Sequence, residues 1–208
     1  MTELTQLGRK YRTDKVDDWH TFKGETYMDI YAKYMERLRF REFTFLEIGV
    51  REGASLRTWT EYFPRATVVG IDINPDCKAH EQGRIKIEIG SQEDPEFLEQ
   101  VIAKHGPFGI VVDDGSHINT MMMESFIHLN PHTLGLYIFE DMKTSHVDLT
   151  EDVKSWPGMK LNKDLNPDNS STRQDFESGF LNIIKKLDYR VGDWKAVHFH
   201  HQIIVLER

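Results

Sequence analysis

Short apolar runs alternate with longer amphipathic segments across residues 43–140. The short runs are rich in β-branched residues and apolar at successive positions, which is typical of strands buried on both faces of a sheet. Five such strands are predicted, at Phe43–Val50, Thr67–Asp72, Ile85–Ile89, Gly109–Asp113 and Gly135–Glu140. Helices are predicted between them, at Ser55–Tyr62, Pro95–Lys104 and Met121–Leu129. Strands that alternate with helices predict βαβ units and a mainly parallel sheet.

Both ends of the chain depart from this order. The helical spacing of Ile30, Tyr34 and Leu38 predicts a helix over about residues 25–37, with a less regular arm before it. Near the other end, a helix is predicted at about Ser171–Leu187. Three apolar runs follow it, at Tyr189–Asp193, Ala196–Phe199 and Gln202–Glu207. The last two runs resemble an antiparallel pair. This ending differs from the fully parallel order of dinucleotide-binding dehydrogenases.

The predicted fold class is therefore α/β. We expect a Rossmann-like, doubly wound, mostly parallel seven-stranded sheet with a C-terminal antiparallel hairpin and an N-terminal helical arm. Residues 1–40 are predicted to form the arm and a helix packed on the core, and residues 41–208 the catalytic domain. The long connection at 142–171 leaves the end of a strand where ligands of such sheets bind, so we interpret it as a lid rather than a disordered segment.

Composition narrows the classes of partner. The chain has 208 residues, 39% hydrophobic and 29% charged, which is typical of one globular domain. A net charge of −8 argues against nucleic acid as a partner, and no apolar run is long enough to span a membrane. Cys77 is the single cysteine, which predicts a reducing, cytoplasmic location without an intrachain disulfide. Assembly into a homo-oligomer stays open.

The segment Phe45–Ser55 carries the first candidate binding site. An apolar strand runs into Gly49, and Gly53 follows four residues later, just before Ser55 opens a helix. Gly49 allows a sharp turn and a close backbone approach, and the helix start offers N–H groups to an acidic ligand. Asp72 ends the next strand, about twenty residues further on, where an acid accepts hydrogen bonds from ribose hydroxyls. The alternative is that Asp72 only caps a helix.

Three details separate this site from one for NAD. The glycine spacing is not G-x-G-x-x-G, so the grip on a pyrophosphate is missing. Ser91 and Gln92 follow the third strand, where polar side chains read an adenine edge. Glu47 suits the ammonium end of a cofactor that contains an amino acid. Lys15 and His20 of the arm are candidates for the carboxylate of the same cofactor.

Carboxylates follow two of the predicted strands. Asp113 and Asp114 end one strand, and Glu140 and Asp141 end another. If those strands are neighbours, the acids converge at one edge of the sheet and repel one another unless a cation neutralises them. Oxygen ligands suit a hard ion such as Mg²⁺ or Ca²⁺, although the acids are also explained as helix caps and solvated loop groups.

His117 lies three residues beyond Asp114, past a glycine that permits a sharp turn. A histidine near its usual pKa of about 6.5 is a competent base at neutral pH. Its ring is predicted to reach a hydroxyl group bound at the metal. The alternative is a histidine at a helix start that binds a nearby carboxylate.

These residues resemble those of class I S-adenosylmethionine-dependent methyltransferases, and in particular the macrocin and mycinamicin type of sugar O-methyltransferase. The matching motifs cover about residues 8–208 and are Lys10–Lys15 with His20, Leu46–Gly53, Val69–Asp72, Gly90–Gln92, Val111–His117 and Phe139–Asp141. The run Asp113–His117, followed by Glu140-Asp141, is the specific part of the match, because the glycine loop alone is common.

The resemblance implies S-adenosylmethionine as the cofactor, with Asp113 among the residues that bind it. It also implies Mg²⁺, or another hard divalent cation, held by Asp114, Glu140 and Asp141, with His117 as general base. The acceptor is expected to be a hydroxyl of a sugar or glycosylated small molecule. Arg12 stands where the family often carries glycine, so the backbone path of the arm is expected to differ there.

Two other classes of function stay open at this stage. One is an oxidoreductase or hydroxylase-like enzyme on the same fold, although the two histidines and one carboxylate of an iron site are not evident. The other is a non-catalytic, cofactor-binding partner subunit, which the intact acids and His117 argue against. The sequence contains no counterpart of the additional N-terminal domain of some macrolide-modifying members, which leaves the identity of the acceptor open.

Overall fold

The computed structural model describes residues 1–142, 169–189 and 191–208, and side chains throughout these ranges except at 169–176. The helices are α1 (Glu3–Tyr11), α2 (Tyr27–Met35), α3 (Ala54–Tyr62), α4 (Pro95–His105), α5 (Asn119–Leu129) and α6 (Asn169–Asp188). The strands are β1 (Thr21–Phe22), β2 (Glu25–Thr26), β3 (Thr44–Ile48), β4 (Thr67–Asp72), β5 (Ile85–Ile89), β6 (Phe108–Asp113), β7 (Thr133–Phe139), β8 (Ala196–Phe199) and β9 (Ile204–Glu207). Most of the segment predicted as a lid, residues 143–168, lies outside the described residues.

Seven strands form one sheet in the order β5-β4-β3-β6-β7-β9-β8, and β1 pairs with β2 in a separate hairpin. Strands β3 to β7 pair in parallel, whereas β9 is antiparallel to both of its neighbours. This arrangement confirms the predicted fold class, including the C-terminal antiparallel hairpin. The chain runs outward from β3 to β5 and then crosses to β6 on the other side of β3. Ligands of doubly wound sheets bind at such a switch point, at the carboxyl ends of the strands.

The strands are apolar at successive positions because both faces of the sheet are covered. Phe45 packs on the face that carries α1, α2 and α3, whereas its neighbour Leu46 packs on the face that carries α4 and α5. Consecutive strand residues point to opposite faces, so each layer of helices requires its own set of apolar residues. Tyr27, Tyr31 and Met35 of α2 are buried in the first layer, so the N-terminal arm shares a core with the sheet.

Helix α1 forms the first part of the arm that the sequence predicted as less regular before residue 25, and two 3₁₀ turns follow it at Asp14–Val16 and Asp18–His20. Thr2 caps the helix by accepting a hydrogen bond from the N–H of Thr5, and Leu4 and Leu7 are buried. Two apolar residues in nine are too few to show a helical period, which explains why the pattern alone did not predict the helix. Arg12 ends α1 with a φ of 60°, in the left-handed region that favours glycine.

Several other predicted boundaries shift by a few residues, whereas those of β4, β5 and β8 are as predicted. Predicted helix 25–37 is α2, which begins at a capping box of Thr26 and Asp29 and is followed by a 3₁₀ turn at Glu36–Leu38. Strand β3 ends at Ile48, two residues before the predicted end, because Gly49 already turns away. The apolar run at Tyr189–Asp193 is not a strand where the structure describes it. No helix among the described residues is long and apolar enough to cross a membrane.

Candidate active site

The loop between β3 and α3 lies against the loop that follows β6. Gly49 has a φ of 98°, and a Cβ atom placed there would lie 2.2 Å from the carbonyl oxygen of Asp114. Only glycine fits both the backbone conformation and this contact. Gly53 has a φ of 68° at the start of α3, where a Cβ atom would lie 3.0 Å from that of His80. The two predicted glycines therefore allow two strand-end loops to approach closely.

Asp72 holds the glycine loop in place. Its Oδ2 accepts hydrogen bonds from the N–H groups of Val50 at 2.9 Å and Arg51 at 3.0 Å. Its Oδ1 accepts one from the N–H of Asn74 at 2.9 Å. Burial opposes the charged form, but these backbone hydrogen bonds outweigh it and lower the pKa of Asp72. The carboxylate orders the loop, and its contact with a ribose stays a prediction.

Glu47 is completely buried beneath the same loop. One oxygen accepts hydrogen bonds from the hydroxyl of Ser55 at 2.7 Å and the indole N–H of Trp59 at 3.1 Å. The other lies 3.5 Å from the ammonium of Lys15. Burial raises the pKa of Glu47 to about 7, although the charge of Lys15 opposes the shift. Glu47 thus meets an ammonium group of the protein itself, and its predicted contact with a cofactor is untested.

Lys15 brings the arm into the carboxylate cluster. Its buried ammonium lies 2.8 Å from Glu140, contacts Asp114 and lies 3.5 Å from Glu47. Burial lowers the pKa of Lys15, but the three carboxylates more than offset this effect and hold the group charged. The other oxygen of Glu140 accepts a hydrogen bond from the hydroxyl of Tyr31. Both oxygens of Glu140 therefore have donors supplied by the arm and α2.

His117 lies between two carboxylates at the mouth of the crevice. Its Nε2 is 3.8 Å from Oδ1 of Asp114 and 3.7 Å from Oδ2 of Asp141, and all three side chains are partly exposed. His117 and Asp141 have φ values of 56° and 52°, in the left-handed region that costs a residue with a Cβ about 1 kcal/mol or more. Two such residues facing each other indicate that the fold fixes this geometry.

The predicted metal ligands fall into two groups. One group is partly exposed and consists of Asp114, His117 and Asp141. The other is largely buried and consists of Glu47, Asp114 and Glu140. In each group, one ligand atom from every residue lies within 4.8 Å of those of the other two. The buried group already holds the ammonium of Lys15. The exposed group offers two carboxylates, which fit a hard divalent cation, and places the imidazole of His117 beside them.

The arm also contacts Asp141 directly. The hydroxyl of Tyr27 donates a hydrogen bond to Oδ1 of Asp141 at 2.8 Å, and Nε2 of His20 lies 3.5 Å from the same oxygen. The other ring nitrogen of His20 is 2.8 Å from the carbonyl oxygen of Asp14. Burial opposes ionisation of Asp141, but the bond from His20 and the charge of His117 lower its pKa. The predicted role of His20 toward a cofactor carboxylate is untested.

Gln92 fixes the loop that carries His117. Its amide nitrogen donates to Asp113 at 3.1 Å, and its amide oxygen accepts the N–H of Ser116 at 2.7 Å. Asp113 is completely buried, which raises its pKa to about 6, and it also accepts a hydrogen bond from Ser125 at 2.7 Å. Ser91 accepts the N–H of Glu93 at 3.4 Å. The contacts predicted between the cofactor and Asp113, Ser91 and Gln92 stay predictions.

The sequence did not single out Ser125, Trp59 or Gln202 as site residues. For Tyr27 and Tyr31 it predicts only that these aromatic side chains cover the cofactor or the acceptor, or that they pack the arm on the sheet. Two of them carry a signal that pattern analysis detects, because Tyr27 and Tyr31 are four residues apart and share a helix face. Ser125 is a polar residue among the buried apolar residues Met122, Phe126 and Leu129 of α5, which is a further signal. Gln202 lies in a hairpin connection and carries no comparable signal.

Comparison with known proteins gives sequence relatives but no matching family model. The chain is 36% identical over 164 residues to the L-olivosyl-oleandolide 3-O-methyltransferase of Streptomyces antibioticus, covering 74% of this chain and 39% of that protein. It is 37% identical over 166 residues to the mycinamicin VI 2''-O-methyltransferase of Micromonospora griseorubida, covering 75% and 38%. The chain thus spans less than half the length of the curated relatives it matches.

A solved structure matches almost the whole chain. This structure is the MycE methyltransferase of the mycinamycin biosynthetic pathway in complex with Mg and S-adenosylhomocysteine (SAH), which is 31% identical with a TM-score of 0.75. The superposition covers 99% of this chain and 54% of MycE. A further MycE structure contains Mg, SAH and mycinamycin VI.

Proposed function

This chain belongs to the class I S-adenosylmethionine-dependent methyltransferase family and resembles its macrocin- and mycinamicin-type sugar O-methyltransferases, and from that premise we propose that it methylates a hydroxyl of a sugar or glycosylated small molecule. The observation that carries the proposal is His117, held between Asp114 and Asp141 at the carboxyl ends of two neighbouring strands. A base beside two carboxylates is the arrangement that hydroxyl activation by a metal requires.

The cofactor part of the proposal uses the loops on the β3 and β4 side of the crevice. Gly49, Gly53 and Ser55 lie at the turn into α3, Asp72 ends β4, and Gln92 and Asp113 hold the loop after β6. The buried ammonium of Lys15 and the imidazole of His20 lie on the arm side of the same crevice. That MycE holds SAH in the same fold supports this use of the loops.

We assign the divalent cation to the partly exposed group, with Asp114 and Asp141 as its ligands from this chain. Glu140, the third ligand implied by the resemblance, is bound to Lys15 and Tyr31, so its participation requires exchange of one of these donors. The carboxylate donors fit Mg²⁺, the ion present in MycE.

S-Adenosylmethionine supplies an electrophilic methyl group on a sulfonium, and a divalent cation lowers the pKa of the acceptor hydroxyl. His117 accepts the hydroxyl proton at Nε2, and the neighbouring carboxylate of Asp141 stabilises the resulting imidazolium. The transfer forms an O–CH₃ bond and breaks the S–CH₃ bond, which leaves SAH and a methyl ether. Alignment of the two substrates contributes the rest of the rate, because neither needs a covalent enzyme intermediate.

In this proposal residues 1–40 form the arm that closes the crevice, and residues 41–208 form the methyltransferase domain. The arm is joined to the glycine loop by an ion pair between Asp14 and Arg51, whose closest atoms are 2.8 Å apart. We propose a small glycoside as the acceptor and no nucleic acid as a partner, since the chain carries a net charge of −8.

Ligand-dependent melting separates the proposed function from its alternatives. We expect SAH to raise the melting temperature while NAD leaves it unchanged, because only a ligand that binds the folded state stabilises it. Transfer of labelled methyl groups from S-adenosylmethionine to demethylmacrocin or mycinamicin VI should stop when EDTA removes divalent ions. Stabilisation by NAD instead of SAH favours an oxidoreductase, and SAH binding without transfer to either glycoside contradicts the proposed acceptor class.

A further inference from the structure

Two hairpin connections meet at the rim of the crevice. Phe22 lies at the end of β1, and His201 and Gln202 lie in the connection between β8 and β9. The rings of Phe22 and His201 stack with their centroids 4.4 Å apart and their planes 17° from parallel. Phe22 keeps 47% of its surface exposed, although its ring stacks on His201.

The rim is fixed to the strand end that carries Asp141. The N–H of Met142 donates a hydrogen bond to the carbonyl oxygen of Gln202 at 3.0 Å. The side-chain oxygen of Gln202 lies 3.3 Å from the hydroxyl of Tyr27, which in turn donates to Asp141 at 2.8 Å. The Tyr27 hydroxyl therefore contacts both the amide of Gln202 and Asp141, a candidate metal ligand. A molecule bound by Gln202 would accordingly lie close to Asp141.

The rim lies away from the proposed cofactor loops. In the sheet order β3-β6-β7-β9, the strand that follows Gln202 is three positions from the strand that precedes Gly49. At the usual spacing between strands this separation is about 14 Å. The rim therefore lies beyond β7, on the side of β6 and β7 away from the proposed cofactor loops.

The chemistry of the rim matches a pyranose ring. One side of a pyranose presents C–H groups that pack on aromatic faces, and its hydroxyls require polar partners. The Phe22 ring stacks on His201 and lies 5.3 Å from the ammonium of Lys23, and the residue still keeps about half of its surface exposed for contact with a ligand. The amide of Gln202 is held between Nε2 of His201 at 2.8 Å and the hydroxyl of Tyr27, so its orientation is set before a ligand arrives.

We propose that Phe22, His201 and Gln202 form the acceptor subsite, in which the aromatic pair packs against a pyranose ring and the Gln202 amide binds one of its hydroxyls. The inference rests on the proposed function and adds the residues that select the acceptor. Substitution of these subsite residues is expected to weaken acceptor binding and to leave the affinity for SAH unchanged, because the two ligands bind different loops.

Saturation-transfer NMR on the full chain with Mg²⁺ and SAH tests the subsite, with methyl α-L-rhamnopyranoside and mycinamicin VI as probes. We expect transfer to ring protons of at least one probe, and about fivefold weaker binding in Phe22→Ala, which corresponds to about 1 kcal/mol for one aromatic contact. Gln202→Asn should weaken binding similarly, and asparagine tolerates the φ of 60° at this position. The matched control is Phe40→Ala, an aromatic residue of 64% exposure that packs beside Arg39.

The outcomes are distinct. Weaker probe binding in both rim variants, with unchanged SAH affinity and an unchanged Phe40→Ala control, supports the subsite. No transfer to either probe in the unmodified chain, or equal probe affinity in all variants, overturns it. A separate calorimetric titration shows whether SAH binds at all, so a failure of the proposed function is recognised independently of a failure of the subsite.

Discussion

The ammonium of Lys15 lies 2.8 Å from a carboxylate oxygen of Glu140, and both side chains are buried although 125 residues separate them in the chain. The same ammonium contacts Asp114 and lies 3.5 Å from Glu47. One residue of the N-terminal arm thus neutralises acids that follow β6 and β7. The arm is consequently part of the electrostatics of the candidate active site as well as of the core.

Lys15→Met is expected to destabilise the fold strongly. Methionine fills most of the space but leaves the buried carboxylates of Glu140 and Glu47 without their cation, which typically costs about 3–5 kcal/mol. Urea unfolding measures the loss. The matched control is Lys10→Met, which removes an exposed ion pair with Glu61 and should change the midpoint little. Equal midpoints for the two variants would show that the Lys15 cluster contributes no more than a surface pair.

Gly49→Ala is expected to disrupt the contact between the glycine loop and the loop after β6. The added Cβ atom would lie 2.2 Å from the carbonyl oxygen of Asp114, in a residue with a φ of 98°. Gly83→Ala is the control, because Gly83 also has a positive φ but no atom lies within 4 Å of its added Cβ. We expect Gly83→Ala to lower the free energy of unfolding by about 1–2 kcal/mol and Gly49→Ala to lower it clearly more. Similar unfolding midpoints would contradict a close approach of the loops.

The carboxylate of Asp29 joins α1 to α2 by hydrogen bonds, and we expect this contact to be lost in acid. Burial opposes its charged form, but hydrogen bonds from the hydroxyl of Thr5 and from the N–H groups of Thr2 and Thr26 lower its pKa in the folded state. The unfolded carboxyl binds a proton near pH 3.9, before the folded one does. Its contribution to stability is therefore present above about pH 4 and is lost as the pH falls toward the lower folded pKa.

The stability difference between the unmodified chain and Asp29→Asn should accordingly be large at pH 6 and shrink below about pH 4. Urea unfolding across this range measures it. The difference for Asp18→Asn, an exposed acid outside this network, serves as the reference. A difference for Asp29→Asn that is constant with pH would show that its carboxylate is not selectively stabilised by folding.

His117→Ala should lower methyl transfer by about 10²-fold or more, the usual contribution of a general base, and leave SAH affinity almost unchanged. Transfer to mycinamicin VI and calorimetry with SAH give the two readouts. His128→Ala is the control, since His128 contacts Glu99 and Glu124 on the outer side of α5. A parallel loss of transfer and of SAH binding would assign His117 a structural role.

The strands were predictable because burial on both faces leaves a direct trace in the sequence. Thr67–Asp72 and Ile85–Ile89 have the predicted bounds, since apolar residues at successive positions mark where each strand is covered by two helical layers. The positions of the glycine loop and of Asp72, the acid that ends β4, were predictable for the same reason, because they depend on where the strands end. Helix α1, with two buried leucines in nine residues, has no such trace.

The arrangement within the site was less predictable. Asp114 and Lys15 are 99 residues apart, and no local pattern connects a lysine in an arm to an acid after a strand. Glu140 and Asp141 are neighbours in the chain, yet their carboxylates belong to different groups because consecutive residues at a strand end point in different directions. Sequence analysis therefore identified the acids but not their division into a buried group and an exposed one.

Calorimetric titration with SAH tests the central claim, that the loops at Gly49 and Asp72 bind a nucleoside carrying an amino-acid tail. We predict one binding site in the unmodified chain and an affinity about tenfold or more lower in Asp72→Asn, because a charged hydrogen-bond acceptor is lost. Asp76→Asn, an exposed acid four residues further on, should bind as the unmodified chain does. No binding heat in the unmodified chain, or equal affinity in all three proteins, would contradict the account.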